Sequence, residues 1–322
     1  MQFQFNKRTK KNLINLLKLC LPACLFVYIL LSNDIRMAFE YLSDISTLIW
    51  ICVLALALLL VFISALRLKV LVSGVSFPTM LYVRLVSYSY GFIFPGVIAT
   101  EGVRLYMLGK TDGRYSNYSA AIMVDKIIGV MVVLILGTIG LFVMYGMEFF
   151  AFIIFLLIGL VCLGLSLFIF KFKFVYKNMH NKLTVLSQKK SWTGNGFGFA
   201  LRVVDNWMEY TNQKSLLVKN LLLGFAYHLF RVFTGALLAY SVGAGFIFFD
   251  WLWIQAFLTI AFMLPLSFGG IGIREGALIG LMGYIGASSE QALAVSFGLL
   301  TIQLVLALFG FGLEMYIRGR NK

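Results

Sequence analysis

An all-α polytopic membrane protein is the fold class this sequence predicts, on three observations. Hydrophobic residues make up 61% of the 322 and charged residues 12%, whereas soluble domains run to about half apolar and about a quarter charged. Long uncharged stretches recur, among them residues 47–66 and 148–170, and each supplies the roughly 20 apolar residues that a helix needs to cross a hydrocarbon core of about 30 Å. These stretches do not alternate apolar with polar residues, as the strands of a membrane barrel would. A mean hydropathy of +0.93 agrees.

The elements follow in chain order from the apolar runs and the basic residues between them. Lys7, Arg8, Lys10 and Lys11 precede the first apolar stretch. A signal peptide has that order too, but this stretch is long and lacks a clean small-x-small cleavage site, so it reads as a retained first helix. Basic residues mark cytoplasmic ends, which places the N-terminus inside. Residues 32–46 set Arg36 against Asp34, Glu40 and Asp44 and read as an outer loop; the span 47–66 returns to Arg67 and Lys69, read as an inner loop. The segment 79–94 is broken at Pro95 and Gly96 and resumes as 97–108, ahead of Lys110 and Arg114. A hairpin that enters from the cytoplasm and turns back keeps those two bases inside. Non-helical backbone at that depth is tolerated where it is buried in protein or lines a wet cavity.

A span near 119–145 then leads out, and 148–170 returns to a basic cytoplasmic loop, 171–215, whose mixture of aromatic and basic residues reads as an interfacial amphipathic segment. Residues 216–242 lead out again. Segments 251–264 and 273–287 flank Pro265 and Gly269 as a second hairpin, entered from the outer side, and 291–316 brings Arg318, Arg320 and Lys322 to the cytoplasm. About six spanning helices and two re-entrant hairpins result, in one membrane domain of inverted halves near 12–145 and 148–316. Broken segments at corresponding places in inverted halves point to a midplane substrate site in a transporter. Eight full crossings are the alternative, and they would strand Lys110 and Arg114 outside.

Ionisable residues inside the membrane cost about 2.5 to 3.5 kcal/mol each and are functional candidates by default. Once loop residues are set aside they are Arg84, Glu101, Arg104, Asp125, Lys126, His228, Arg231, Arg274 and Glu275. Glu101 with Arg104, and His228 with Arg231, are three apart and share a helix face. Asp125 and Lys126 are neighbours, as are Arg274 and Glu275, so each is expected to find its partner elsewhere. Pro95 precedes Glu101, Gly102 and Arg104, and Pro265 precedes Gly269, Gly270, Gly272, Arg274 and Glu275. A half-helix that begins in the membrane presents unpaired N–H groups and a positive dipole end, which favour an anion, and an arginine fork suits phosphate. Arg104, Arg274, Glu101, Glu275, Gly102, Gly270 and Gly272 are therefore the candidate substrate-binding residues, with Arg84, Asp125, Lys126, His228 and Arg231 as supporting charges. Neutralising pairs that lock helices together are the alternative reading of the same charges.

Other classes find less support. The net charge of +14 lies in loops beside apolar spans, so the membrane surface rather than nucleic acid is the expected partner. Cys20, Cys24, Cys52 and Cys162 fall in apolar stretches without metal-ligand spacing and are expected to pack; no metal or other cofactor is expected. No GxxxxGK[ST] motif occurs. A membrane-embedded transferase on a lipid phosphate is one alternative function, although the acids are scattered beside bases and form no DxxD or HExxH arrangement. A scaffold for envelope-glycan enzymes, docking them on the basic loop, is another.

In two stretches the sequence resembles a known family, the flippase-like membrane domain of lysylphosphatidylglycerol synthases and their stand-alone relatives. PLSFGGIGIREGAL matches the family's late motif, a proline followed by GGxGxREGAL; FPGVIATEGVRLYML keeps Pro95, Glu101 and Arg104 in step with the earlier one, with Ala99 and Thr100 where glycines are common. Asp125-Lys126 stands at a third landmark, where the family has an acid followed by Arg. The resemblance covers essentially the whole chain. It implies movement of a lipid with an anionic polar head, a phospholipid or a polyisoprenyl-phosphate-linked sugar, between the leaflets of a bacterial or archaeal cytoplasmic membrane. Envelope-glycan enzymes would be candidate partners. Because the family's aminoacyl transfer belongs to a separate soluble domain and this chain stops at Lys322, a transporter without synthase activity is expected.

Overall fold

A computed structural model describes residues 24–93, 97–146, 192–245, 248–263 and 270–320. The chain is helical throughout these segments. Following residues 24–32, also helical, come α1 (Ile35–Ser43), α2 (Thr47–Leu71), α3 (Phe77–Ile93), α4 (Val97–Asp112), α5 (Tyr115–Tyr145), α6 (Trp192–Asn212), α7 (Lys214–Ser241), α8 (Phe248–Met263), α9 (Ile273–Tyr284) and α10 (Ser289–Arg320). Four of them, α2, α5, α7 and α10, are long and apolar enough to cross a membrane. Most of the expected first span, the span at 148–170, and Pro95, Gly96, Pro265 and Gly269 lie outside the described residues.

The helices beside the two breaks are short. α3 and α4 have 17 and 16 residues, and α8 and α9 have 16 and 12, each below the roughly 20 that a perpendicular crossing needs. The arms of the first pair meet closely: a Cβ added at Gly91 would lie 2.7 Å from Thr100 Cγ2. A side chain at this position would force Thr100 to shift.

The chain divides into two compact units, one formed by Met1–Leu58, Leu85–Val103 and Val232–Lys322 and the other by Leu59–Arg84 and Arg104–Arg231. Each takes segments from both of the halves read from the sequence. In the first unit, α1 corrects the expectation of an outer loop at 32–46. Asp34 starts it, its carboxylate accepting from the Met37 N–H at 3.1 Å, as an N-cap does. The apolar side of α1 then packs down: Ala38 is wholly buried with Ile29 and Leu293, and Phe39 stacks on Phe297 at 5.4 Å. The loop expectation rested on charge; burial of one face outweighed it.

Small residues set the other contacts of this unit. Gly310 on α10 faces the Leu85 carbonyl and Ser89 Oγ of α3, and Ser89 Oγ donates to the Ala307 carbonyl at 2.6 Å. Tyr90 OH donates to Glu314 Oε1 at 3.1 Å. Gly235 on α7 leaves room for the indole of Trp251, one of the largest fully buried side chains.

The second unit has an apolar core that includes Leu68, Met80, Leu108, Tyr118, Trp207 and Tyr210. The last two belong to α6, so within the stretch 171–215 read as a basic loop with an interfacial amphipathic segment, residues 192–212 form a helix with one face buried. Asn206 Nδ2 donates to Ser116 Oγ and Tyr210 OH to Asn117 Oδ1, both at 3.3 Å, so α6 is fastened to the start of α5. Trp207 and Tyr210 bury against protein because the apolar area of a tryptophan and a tyrosine is removed from water more completely there.

Candidate functional site: two buried polar centres

The first centre lies at the start of α9 in the first unit. Gly270 and Gly272 precede the helix with φ of +85° and +86°, left-handed values that a residue with a Cβ adopts only under strain. They deliver Arg274 and Glu275 directly into the packed interior, where each is 1% exposed. Burial of both requires pairing, and the two satisfy each other. Arg274 Nε and Nη2 donate to Glu275 Oε1 at 3.2 and 3.1 Å, Nε also reaches Ser296 Oγ at 2.9 Å, and Nη1 donates to Gln303 Oε1 at 3.1 Å. Ser296 Oγ donates to the same Glu275 oxygen at 2.7 Å.

This arrangement corrects the expectation that adjacent Arg274 and Glu275 seek separate partners. In the first turn of a helix two long side chains can curl toward one neighbour, and here Ser296 and Gln303 of α10 gather both. It also modifies the picture of an open helix N-terminus. Glu275 Oε2 accepts from the Gly272 N–H at 2.5 Å, while the Arg274 and Gly276 N–H groups donate to the Gly270 and Gly272 carbonyls. The chain's own carboxylate thus sits where an external anion was expected. A guanidinium has five N–H donors; Arg274 Nη1 and Nη2 each keep a second N–H beyond the bonds above.

The second centre lies among α2, α5 and α7 in the second unit. Arg67, read from the sequence as a loop residue, is 5% exposed and pairs with Asp125 Oδ1 at 2.9 Å. Its Nη2 also donates to the Asp125 carbonyl at 2.8 Å. Asn220 Nδ2 joins them, donating to Asp125 Oδ1 at 3.1 Å and to the Arg67 carbonyl at 2.9 Å. Three apolar helices are therefore tied through one carboxylate. The apolar run ends at residue 66, so the sequence put Arg67 in a loop, whereas α2 runs on to Leu71 and carries it inside. Asn220 carries no charge and gave no signal beyond its spacing on the His228 face.

Of the other residues singled out from sequence, His228 is buried and Arg84, Lys126 and Arg231 are partly buried, all in the second unit. Glu101, Gly102 and Arg104 lie on α4, with Arg104 2% exposed. Glu101 and Gly102 are assigned to the first unit and Arg104 to the second. Among the described residues no group of three or more His, Cys, Asp and Glu side chains could hold a metal ion.

Among curated proteins and among solved structures nothing matches this chain. One family profile does, that of the lysylphosphatidylglycerol synthase TM region, and it matches residues 15–310. Both polar centres fall inside the matched range, as do all four membrane-length helices save the end of α10. The chain belongs to the family of the lysylphosphatidylglycerol synthase transmembrane region.

Proposed function

We propose that this protein moves a lipid with an anionic polar head, a phospholipid or a polyisoprenyl-phosphate-linked sugar, from one leaflet to the other. The observation that carries the reading is the Arg274 centre. A helix that begins after two left-handed glycines holds a buried guanidinium in a fixed orientation, with Glu275, Ser296 and Gln303 as its mounts and two N–H donors beyond those bonds among the described residues. An isolated buried ion pair contributes little to stability, because desolvation offsets its attraction, while ionic groups at membrane depth belong mostly to transport paths. The membership of a lipid-related membrane family supports the same reading.

On this reading Arg274 meets the headgroup when the hairpin opens, Arg104 is its counterpart after the first break, and the lipid tails stay in the bilayer. The protein makes no covalent change to the lipid. It lies in a bacterial or archaeal cytoplasmic membrane with both termini inside, where the basic ends meet anionic headgroups, and envelope-glycan enzymes act on what it delivers.

Proteoliposomes carrying a headgroup-labelled phosphatidylglycerol test this. The parent chain is expected to make inner-leaflet label accessible to a membrane-impermeant quencher, and Arg274→Ala to abolish that access while remaining monodisperse. Mass spectrometry of the same lipids is expected to show no new covalent species. Parental movement by Arg274→Ala would remove Arg274 from the site, and a chemically altered lipid would replace transport with catalysis.

A further inference from the structure

The two centres differ in what their ion pairs join. Arg67 on α2 meets Asp125 on α5, so that pair ties two helices together. Arg274 and Glu275 are consecutive residues of α9, and their pair ties none; the bonds that cross to α10 are made with two neutral side chains, Ser296 and Gln303. Consecutive side chains of a helix point apart, and these two meet because Glu275 folds back over the start of α9. A helix junction needs no such pair, since apolar side chains of similar volume hold it as well or better.

What the carboxylate gathers is a set of anion-binding donors. Its Oε2 accepts from the Gly272 N–H at 2.5 Å. Its Oε1 accepts from Arg274 Nε at 3.2 Å, Arg274 Nη2 at 3.1 Å and Ser296 Oγ at 2.7 Å. A glutamate that only caps a helix uses one oxygen, on the N-cap N–H; here the second oxygen takes three more donors. A backbone N–H ahead of a helix, the edge of a guanidinium and a hydroxyl are the donors with which proteins hold phosphate. All of them converge on two oxygens that share one negative charge, and a phosphodiester offers the same pair in its unesterified oxygens. The second N–H groups of Arg274 Nη1 and Nη2 suit a group with more oxygens than a carboxylate has.

We propose that the Glu275 carboxylate is an internal stand-in for the cargo's phosphate, and that the two exchange. The phosphate takes the donors of Gly272, Arg274 and Ser296 as Glu275 swings off them, and this exchange, which rests on the transport reading above, regulates that same site. Trading one anionic group for another leaves Arg274 with a counter-charge before and after the step, so that a buried guanidinium never stands bare, even when the carrier returns without cargo. The trade also keeps binding reversible. A seated carboxylate lowers the apparent affinity for phosphate by the fraction of molecules whose donors it holds, and a transport site must bind weakly enough to release as well as to capture.

A ligand that binds only the folded state raises the unfolding temperature with its occupancy. The full chain in dodecyl maltoside, a phosphate-free detergent, is titrated with dioctanoylphosphatidylglycerol, with dioctanoylglycerol as a control for the tails, and with sodium phosphate against sodium chloride of equal ionic strength. Glu275→Gln, freed of the competing charge, is expected to reach half of its rise at about one tenth of the parental concentration or less. Arg274→Gln combined with Glu275→Gln should lose that gain, which assigns it to the guanidinium. Glu314→Gln, which removes another buried acid of the same unit, should keep the parental value. Glu275→Asp keeps the counter-charge but shortens its reach; it should move in the same direction as Glu275→Gln and decides the matter if that variant does not fold. A gain with the phospholipid alone identifies a lipid phosphate, and a gain with sodium phosphate above the chloride control a soluble one. Parental or weaker binding in both Glu275 variants, an equal gain in Glu314→Gln, or no rise with either phosphate in any of these proteins overturns the exchange. Tighter binding by the Glu275 variants of a chain that moves no lipid would keep the exchange and remove transport, while lipid movement with unshifted binding would do the reverse.

Discussion

Removing the Glu275 carboxylate should damage this protein more than removing the whole charged pair. In Glu275→Ala, Arg274 Nε and Nη2 lose their common acceptor, leaving Nε on Ser296 and Nη1 on Gln303, and the Gly272 N–H loses its partner. A cation at 1% exposure is then left without a counter-charge, which costs about 3 to 5 kcal/mol where single partners of buried pairs have been removed. In Arg274→Met combined with Glu275→Gln no charge remains, the glutamine oxygen can still accept from Gly272, and the chain volume is kept, so the double variant should lie within about 2 kcal/mol of the parent. The non-additivity expected for the pair is therefore about 2 kcal/mol or more. Reversible unfolding in mixed micelles, followed by circular dichroism across a series of denaturing-detergent fractions, measures all three proteins. A Glu275→Ala loss below about 1 kcal/mol, or a double variant less stable than the single one, would refute the assignment of the carboxylate as the group that makes a buried Arg274 tolerable.

Three further outcomes follow from the packing and the surface charges. Gly310→Ala, whose new methyl would run into the Leu85 carbonyl, should cost about 1 to 3 kcal/mol because backbone cannot step aside as a side chain can; micelle unfolding measures it, and an unchanged midpoint would contradict the close approach of α3 and α10. Trp207→Ala should cost about 3 to 5 kcal/mol, since the indole is 8% exposed in the core that joins α6 to α5, and limited proteolysis should then cut first within 192–212. The Asp112 carboxyl feels burial first, which pushes it up, but hydrogen bonds from Tyr118 OH and from the Arg114 amide and guanidinium outweigh that and hold it below the usual carboxylate range. Its folded value being depressed, the stability it contributes is present above the ordinary aspartate range near pH 4 and is lost as pH falls through the lower folded value. Asp112→Asn should flatten that acid limb of the unfolding temperature, and an identical limb in the variant would show that the pairing contributes nothing.

The membrane-length helices were legible because their cause is local. α2, α5, α7 and α10 are long apolar stretches, and in a solvent that accepts no backbone hydrogen bonds a long apolar stretch has one stable form. Their sequence boundaries, 47–66, 119–145, 216–242 and 291–316, err mainly at polar or basic ends, such as the turn carrying Arg67 and Lys69 and the start at Lys214, where hydropathy falls before the helix stops. The pairs of short helices beside the two breaks were legible for a related reason, since a proline and glycines clustered inside an apolar run favour a helix end there. α1 and α6 were not. Their polar and charged residues satisfy the rule for loops, and only the partners supplied by Phe297 and by α5 reveal that one face of each is buried.

The sequence by itself determined that this chain lives in a membrane, that it is helical, and which ionisable residues would have to be accommodated there, because the cost of an unpaired backbone group or a bare charge in hydrocarbon is set by composition along the chain. Which of those charges meet was decided only by tertiary structure. Arg67 reaches Asp125 across 58 positions and Asn220 reaches Arg67 across 153, and Arg274 turns back on its own neighbour because Ser296 and Gln303 stand beside it. Spacing along one helix shows which side chains share a face; it carries no information about what another helix brings to that face. An ion pair between helices is a property of their packing.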